Sequence, residues 1–204
     1  MIFGNYIRCK ATLTGLIMAI LLFFPVYSTA GTTDVNSYNK NLLTESGIII
    51  GYGTGDIAEE KHYEPILLIW HLGCDLKRFF PQLEDHQGTL SLYVEPQINP
   101  VFNPETDFEI GVGVGLKYMH PVTEKISAYI FGSTGPHYIT VKTKEQTNGF
   151  IFSDTIGAGI SFFLTEKSSL NLEYRYRHIS NADLVKPNGG IDTHFGMIGY
   201  SVYF

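Results

Sequence analysis

Three residues near the C-terminus have the types and spacing of a hydrolytic centre. His178 and Ser180 are separated by one residue, and Asp192 follows a short Asn- and Gly-containing stretch. A serine hydroxyl becomes a nucleophile when a histidine removes its proton, and a carboxylate can orient that histidine and stabilise its cation. Polar residues at strand ends are also common without any catalytic role, and a motif this short has many chance matches. The spacing alone leaves both interpretations open.

The segments around these residues alternate with a period of two. Leu170, Leu172, Tyr174 and Tyr176 are separated by the polar residues Asn171, Glu173, Arg175 and Arg177. Successive side chains of a β-strand point to opposite faces, so the apolar set forms one face of a strand. His178 and Ser180 continue that face, and Asp192 has the parity of Ile198, Tyr200, Val202 and Phe204. The pattern predicts that all three candidate side chains lie on the apolar side of a sheet.

Similar alternation predicts eight strands in the chain. The sequence has no apolar stripe of helical period long enough to predict a helix. The segments lie near residues 46–55, 62–73, 88–98, 107–119, 125–134, 149–164, 168–179 and 192–204. The first two are apolar on both faces, which makes their alternation weaker than that of the others.

Eight long strands fit either a soluble sandwich or lipocalin-like barrel, or a membrane barrel whose apolar face meets lipid. The less apolar face carries Glu109, Lys117, Glu173, Arg175 and Arg177 among glycines, which is typical of a narrow polar lumen. The strands also have the length needed to cross a bilayer, roughly 9–11 residues. The last strand ends on Phe204, like the terminal strand of bacterial outer-membrane proteins. The sequence therefore predicts an all-β fold, an eight-stranded antiparallel transmembrane β-barrel of the bacterial outer membrane, over residues 45–204.

The first thirty residues have the three parts of an export signal. Arg8 and Lys10 precede an apolar stretch over residues 11–27, and Ser28, Thr29 and Ala30 supply a small-residue cleavage site. This order predicts a signal peptide over residues 1–30, followed by a polar leader over residues 31–44. The alternative is an N-terminal membrane anchor, for which the apolar stretch is marginally long enough.

The composition excludes several classes of function. Only 17% of residues are charged and the formal net charge is −6, so no basic face is available to neutralise nucleic-acid phosphates. Two cysteines, Cys9 and Cys74, cannot build a disulfide framework or a thiolate metal site. We therefore expect no nucleic-acid partner, no metal and no cofactor.

A longer motif resembles the lipid A 3-O-deacylase (PagL) family. It comprises His178-x-Ser180-Asn181-Ala182, then Pro187-Asn188-x-Gly190-Ile191 and an acidic residue. It lies between the last two predicted strands, on the extracellular side, as in that family of eight-stranded outer-membrane barrels. The Gly51 to Gly55 stretch and Trp70 fit the family pattern more loosely.

The resemblance implies an outer-membrane hydrolase that removes a 3-O-linked 3-hydroxyacyl chain from lipid A of lipopolysaccharide. It assigns the nucleophile to Ser180, the general base to His178 and the third position, usually Glu in the family, to Asp192. Candidate oxyanion donors follow the serine: the backbone amides near Ala182 and Asp183, or the side-chain amides of Asn181 or Asn188. A non-catalytic structural barrel and an outer-membrane esterase for another lipid remain the alternatives. Besides lipopolysaccharide and outer-membrane lipid, a homodimer is the one further partner that we consider.

Overall fold

A computed structural model of the protein describes residues 42–57 and 61–204. The predicted signal peptide and most of the predicted leader lie outside these residues. Nine strand segments are present, β1 (Glu45–Ile57), β2 (Lys61–Tyr63), β3 (Ile66–Asp75), β4 (Thr89–Val101), β5 (Asp107–Pro121), β6 (Ile126–Ile139), β7 (Gly149–Thr165), β8 (Ser168–Ser180) and β9 (Ile191–Tyr203).

The strands form one closed antiparallel sheet. β3 to β9 pair in chain order, β1 pairs with β3, and the pairing of β1 with β9 closes the barrel. β2 and β3 share one register against β1, with Gly55 opposite Tyr63 and Tyr52 opposite Ile66. They are therefore two parts of one barrel strand, interrupted at Pro65, whose ring nitrogen cannot donate to the ladder. The predicted eight-stranded barrel is confirmed, and the predicted strand at 62–73 is a broken one.

The outer wall is apolar and the interior is polar. Exposed residues around the circumference include Ile48, Leu68, Trp70, Ile98, Ile130, Ile156, Leu172 and Ile198. Inside, Arg175 binds Glu95 (2.7 Å) and Glu173 (2.7 Å), Arg177 binds Glu109 (2.7 Å), and Lys117 pairs with Glu45. An apolar outside around paired buried charges is the arrangement of a membrane barrel, and it is the reverse of a lipocalin.

Small residues on the inner face of β1 make room for large side chains from β9. A Cβ atom at Gly53 would lie 2.2 Å from the Phe195 ring, and one at Gly51 would lie 2.2 Å from the Met197 sulfur. Phe195 and Met197 are buried here together with Ile49, Leu67 and Ile69. The Gly-x-Gly stretch therefore lets β9 fill the lumen where the barrel closes.

A hydrophobic layer fills the barrel at the end remote from the C-terminus, which we call the distal end. Its buried residues come from strand ends and one connection: Ile57, Tyr63, Val101, Ile139, Val141, Ile151, Ile179 and Ile191. The other end carries the connection between β3 and β4, with two short 3-10 helices, Leu76–Arg78 and Pro81–Leu83. Within the described residues, no helix is long and apolar enough to span a bilayer.

Candidate active site

His178 and Asp192 meet on the outer wall near the distal end. They are directly opposite each other in the β8–β9 ladder, and Nδ1 of His178 lies 2.6 Å from Oδ1 of Asp192. Their side chains are 23% and 44% exposed, so the pair is partly accessible from outside the barrel. Directly opposed residues of an antiparallel pair have Cβ atoms ~4.5–5.5 Å apart, which is short enough for the side chain of Asp to reach an imidazole. The shorter acid therefore contacts His178 directly.

Ser180 lies on the same outer face, at the last residue of β8. It is half-buried, and Phe152 of β7 is directly opposite it. With a rise of ~3.3 Å per residue, its Cα atom lies ~6.6 Å along the strand from that of His178. In the described part of the chain, the Ser180 hydroxyl makes no hydrogen bond to His178 or to another residue. The fold thus brings the histidine and the acid into contact and places the serine next to them.

Asn188 organises the 181–190 connection between β8 and β9. Its Oδ1 accepts from the Asn181 backbone N–H (2.8 Å), and its Nδ2 donates to Oδ1 of Asp183 (3.1 Å). Asn181 is 1% exposed, and its own side-chain amide donates to the Val185 carbonyl (2.7 Å). Both candidate side-chain amides are therefore hydrogen-bonded within the loop, and of the two only that of Asn188 is partly exposed.

Two consecutive residues after Asn181 adopt the left-handed conformation. Ala182 has φ of 53° and Asp183 has φ of 65°, which L-residues rarely adopt. Hydrogen bonds from Lys186 and Asn188 to the Asp183 carboxylate hold the loop in place and lower the pKa of Asp183 below its ordinary value. Among the described residues, the backbone N–H groups of Ala182 and Asp183 donate no hydrogen bond to a backbone carbonyl. This turn therefore leaves two N–H donors next to Ser180.

Gly190 packs against the other side of His178. It has φ of +75°, and a Cβ atom there would lie 2.4 Å from Cε1 and 3.0 Å from Nε2 of His178. Only glycine combines this φ with such a close approach at no steric cost. The glycine of the sequence motif thus corresponds to a backbone wall beside the imidazole.

Asp154 is a second outward-facing acid, and our sequence analysis did not identify it. It is directly opposite His178 on the β7 side, and its Oδ1 accepts from the Thr134 hydroxyl (2.6 Å). The signal was present in the sequence, because an acid interrupts the outward apolar positions of β7 between Phe152 and Ile156. His178 therefore has a carboxylate on each neighbouring strand, and Asp192 is the one that contacts its Nδ1.

A shallow groove lies on the outer wall, nearer than the His178–Asp192 pair to the C-terminal end of the barrel, and none of the three candidate catalytic residues lines it. It encloses about 530 Å³ between β8, β9 and β1, and its lining includes Leu172, Gly196 and Ile50. A Cβ atom at Gly196 would meet nothing within 4 Å, so the absence of a side chain at this position leaves the floor of the groove open. Between the pair and the groove, Nδ1 of His194 lies 2.6 Å from the Tyr174 hydroxyl.

The described residues hold no group of three or more His, Cys, Asp or Glu side chains arranged to bind a metal ion. The polar atoms of the site belong to one histidine, two aspartates, one serine and the amides of the adjacent loop. This donor set is suited to proton transfer and to hydrogen bonding with an oxyanion.

The closed barrel and the site on its lipid-facing wall define the class of protein, an eight-stranded outer-membrane β-barrel with a polar centre at one end. The family model described as lipid A 3-O-deacylase (PagL) matches residues 68–201, and the chain belongs to this family. It is a protein of the bacterial outer membrane, and the extracellular position of the distal connections stays a prediction from the sequence.

Solved structures agree on the fold. The outer membrane enzyme PagL is 18% identical, with a TM-score of 0.52, and the match covers 78% of this chain and 99% of that one. Neisserial surface protein A is 12% identical, with a TM-score of 0.54 and coverage of 78% and 96%. No curated protein matches the chain significantly. Because the barrel is common to an enzyme and a surface protein, the fold alone does not define an activity.

Proposed function

We propose that the protein removes the ester-linked 3-hydroxyacyl chain from the 3-position of the proximal glucosamine of lipid A. The observation that carries this proposal is the direct His178–Asp192 contact, next to Ser180, on the lipid-facing wall at the distal end of the barrel. A histidine and a carboxylate that face lipid are costly to desolvate unless they pair. Ionisable residues at such positions usually mark a functional site. Family membership supports lipid A as the substrate.

In the proposed reaction, the Ser180 oxygen attacks the acyl carbonyl carbon while His178 accepts the hydroxyl proton. The bond between the carbonyl carbon and the sugar oxygen then breaks, and His178 returns the proton to that oxygen. Water, activated by the same histidine, hydrolyses the acyl-serine and releases a 3-hydroxy fatty acid. Asp192 holds the tautomer of His178 with the proton on Nδ1 and stabilises the imidazolium.

The turn after Ser180 supports the oxyanion part of the proposal. The backbone amides of Ala182 and Asp183 and the side-chain amide of Asn188 are the donors nearest in sequence to the nucleophile. Removal of one such donor typically costs about 2.7–4 kcal/mol of barrier. The apolar groove on the same wall would accept the distal part of the acyl chain, since Leu172, Ile198 and Ile50 line it on the lipid-facing side.

Mass spectrometry of lipid A from cells that express the protein tests the proposal. Wild type should remove one 3-hydroxyacyl mass, and Ser180→Ala should lower deacylation by at least ~10³-fold, because the nucleophile is lost. Ser46→Ala is the matched control, since this outward-facing serine lies at the periplasmic end and should leave deacylation unchanged. Unchanged lipid A with folded wild-type protein would contradict the proposal. Analysis of phospholipids in the same samples would then separate an esterase for another lipid from a structural barrel.

A further inference from the structure

Two neighbouring loops of the distal end are joined next to the candidate active site. The 140–148 connection follows β6, and the 181–190 connection follows β8. The Gly189 N–H donates to the Glu145 carbonyl (2.5 Å), and the Thr147 N–H donates to the Pro187 carbonyl (3.0 Å). Gln146 and Asn188 lie opposite each other in an antiparallel bridge. Residues 145–147 and 187–189 thus form a short two-stranded pairing, which we call the loop clamp.

The 140–148 side of the clamp is well fixed. Gln146 is completely buried, and its side-chain amide donates to the Thr147 carbonyl (3.1 Å). Thr143 closes a turn with it, since the Gln146 N–H donates to the Thr143 hydroxyl (2.9 Å) and the Thr143 N–H donates to the Gln146 carbonyl (2.9 Å). Val141 anchors the base of the loop in the hydrophobic layer that fills the distal end.

The 181–190 side of the clamp contacts His178 and the residue that follows Ser180, and so reaches both partners of the proposed proton transfer. Asn188 accepts the backbone N–H of Asn181, the residue directly after Ser180, and Gly190 forms the wall beside His178. Ala182 and Asp183 remain in a rare, unfavourable backbone conformation, which persists only where surrounding contacts determine it. The bonds of Asn188 supply such contacts, and the position of Asn188 is set by the segment opposite it.

We propose that Gln146 is a positioning residue for the ester-cleaving site, acting through Asn188. Its buried side-chain amide fixes Thr147, whose N–H donates to the Pro187 carbonyl, and in this way it holds residues 187–189 where Asn188 fixes the turn after Ser180. This inference rests on the proposed function, because it concerns the efficiency of the same serine. A misplacement of reacting groups by ~1 Å can cost ~10²-fold in rate, so a loop held from outside the catalytic residues can control kcat.

The test measures two reactions of the purified, folded barrel, lipid A deacylation and labelling of Ser180 by a fluorophosphonate probe. Gln146→Ala should lower kcat and the labelling rate ~10–100-fold while KM stays within about twofold, because the clamp positions the nucleophile rather than the lipid. Asn148→Ala is the matched control, since this exposed residue of the same loop should leave both rates unchanged. Equal thermal unfolding of the variants would show that the barrel itself is intact.

A double variant separates positioning from a general structural role. If Gln146 acts through Asn188, Gln146→Ala combined with Asn188→Ala should be no slower than Asn188→Ala alone. Multiplied losses would overturn the proposal. If wild type neither deacylates lipid A nor reacts with the probe, the proposed function fails. If wild type does both and Gln146→Ala matches it, only the role of Gln146 fails.

A cross-link provides a rescue. A Cβ atom at Gly189 would lie 3.2 Å from Cβ of Glu145, slightly below the ~3.5–4.5 Å usual for a disulfide. Glu145→Cys with Gly189→Cys, in a Cys74→Ser background, should therefore close the clamp covalently on oxidation. In Gln146→Ala protein, oxidation should restore the labelling rate and a reductant should remove the gain. A cross-link that forms without restoring the rate would contradict positioning through the clamp.

Discussion

At the scale of single residues, His178 is flanked by two acids that have different contacts. Asp192 contacts Nδ1 of His178 at 2.6 Å, whereas Asp154 accepts a hydrogen bond from Thr134 at 2.6 Å. The two carboxylates occupy equivalent positions on either side of β8, so sequence parity alone does not distinguish them. The contact with the imidazole favours Asp192 over Asp154 for the proposed orienting role.

This assignment predicts unequal losses for two matched substitutions. Asp192→Asn should lower kcat for lipid A deacylation by ~10²–10⁴-fold, since an amide favours the wrong tautomer of the histidine. Asp154→Asn should cause a smaller loss, because it does not remove the partner of Nδ1. Asp192→Glu should retain most of the activity. Kinetics on purified lipid A in detergent would measure all three, and a larger loss for Asp154→Asn would assign the orienting acid to β7 instead.

At the scale of elements, β8, β9 and β1 form the groove below the site. Its floor is open because Gly196 has no side chain. Gly196 is four residues from Asp192 along β9, ~13 Å towards the C-terminal end of the barrel at the usual strand rise. A side chain at position 196 would point into open space, so a larger residue should fill the groove without displacing the neighbouring strands. Gly132 on β6 is a matched outward-facing glycine, where a Cβ atom would make only ordinary contacts at 3.6 Å and 3.7 Å.

Gly196→Leu should therefore change the preference for acyl-chain length. Each buried methylene is worth ~0.8 kcal/mol, which corresponds to ~4-fold in affinity for every carbon that the leucine displaces. We expect a fall in kcat/KM for substrates with long acyl chains and little change for short ones, whereas Gly132→Leu should affect neither. A parallel fall for all chain lengths would mean that the acyl chain does not use the groove.

The strands were largely predictable, and the contacts between their loops were not. Alternation at residues 168–179 located β8 closely, because one face meets lipid and the other lines a polar lumen. The break at Pro65 separates β2 from β3 within a segment whose faces are both apolar, so periodicity gave no signal. The pairing of Gln146 with Asn188 joins loops distant in sequence. No local pattern encodes such a contact, although the motif located the loop and its catalytic candidates.

At the scale of the whole molecule, the charges inside the barrel are matched to one another. Arg177 makes two hydrogen bonds with Glu109, at 2.7 Å and 2.9 Å, and both side chains are almost completely buried. Glu109 also accepts from Asn99 at 2.9 Å and from Tyr63. A barrel must enclose these groups when it closes, so the charges of Arg177 and Glu109 depend on a partner from another strand. The pair joins β8, which carries His178, to β5 across the lumen.

This dependence predicts a recovery of stability in a double variant. Arg177→Met leaves the Glu109 carboxylate buried without its cation, and Glu109→Gln leaves the guanidinium buried without its anion. Each should lower the free energy of unfolding by roughly 3–5 kcal/mol, because an unpaired buried charge is strongly unfavourable. The double variant removes both charges and should recover most of that loss, since a buried ion pair can often be replaced at little net cost.

Urea unfolding of the barrel in lipid vesicles, followed by the fluorescence of Trp70, would measure the four free energies. Trp70 is on the outer wall of β3, away from both substituted residues, so it reports on the barrel as a whole. Glu124→Gln, in the exposed turn between β5 and β6, is the control for removal of a carboxylate and should have little effect. Losses that simply add in the double variant would show that the two residues act independently. Strict recovery would instead establish that the lumen is stabilised by charge matching across strands, which fixes the inner face of β8 while its outer face presents His178 and Ser180.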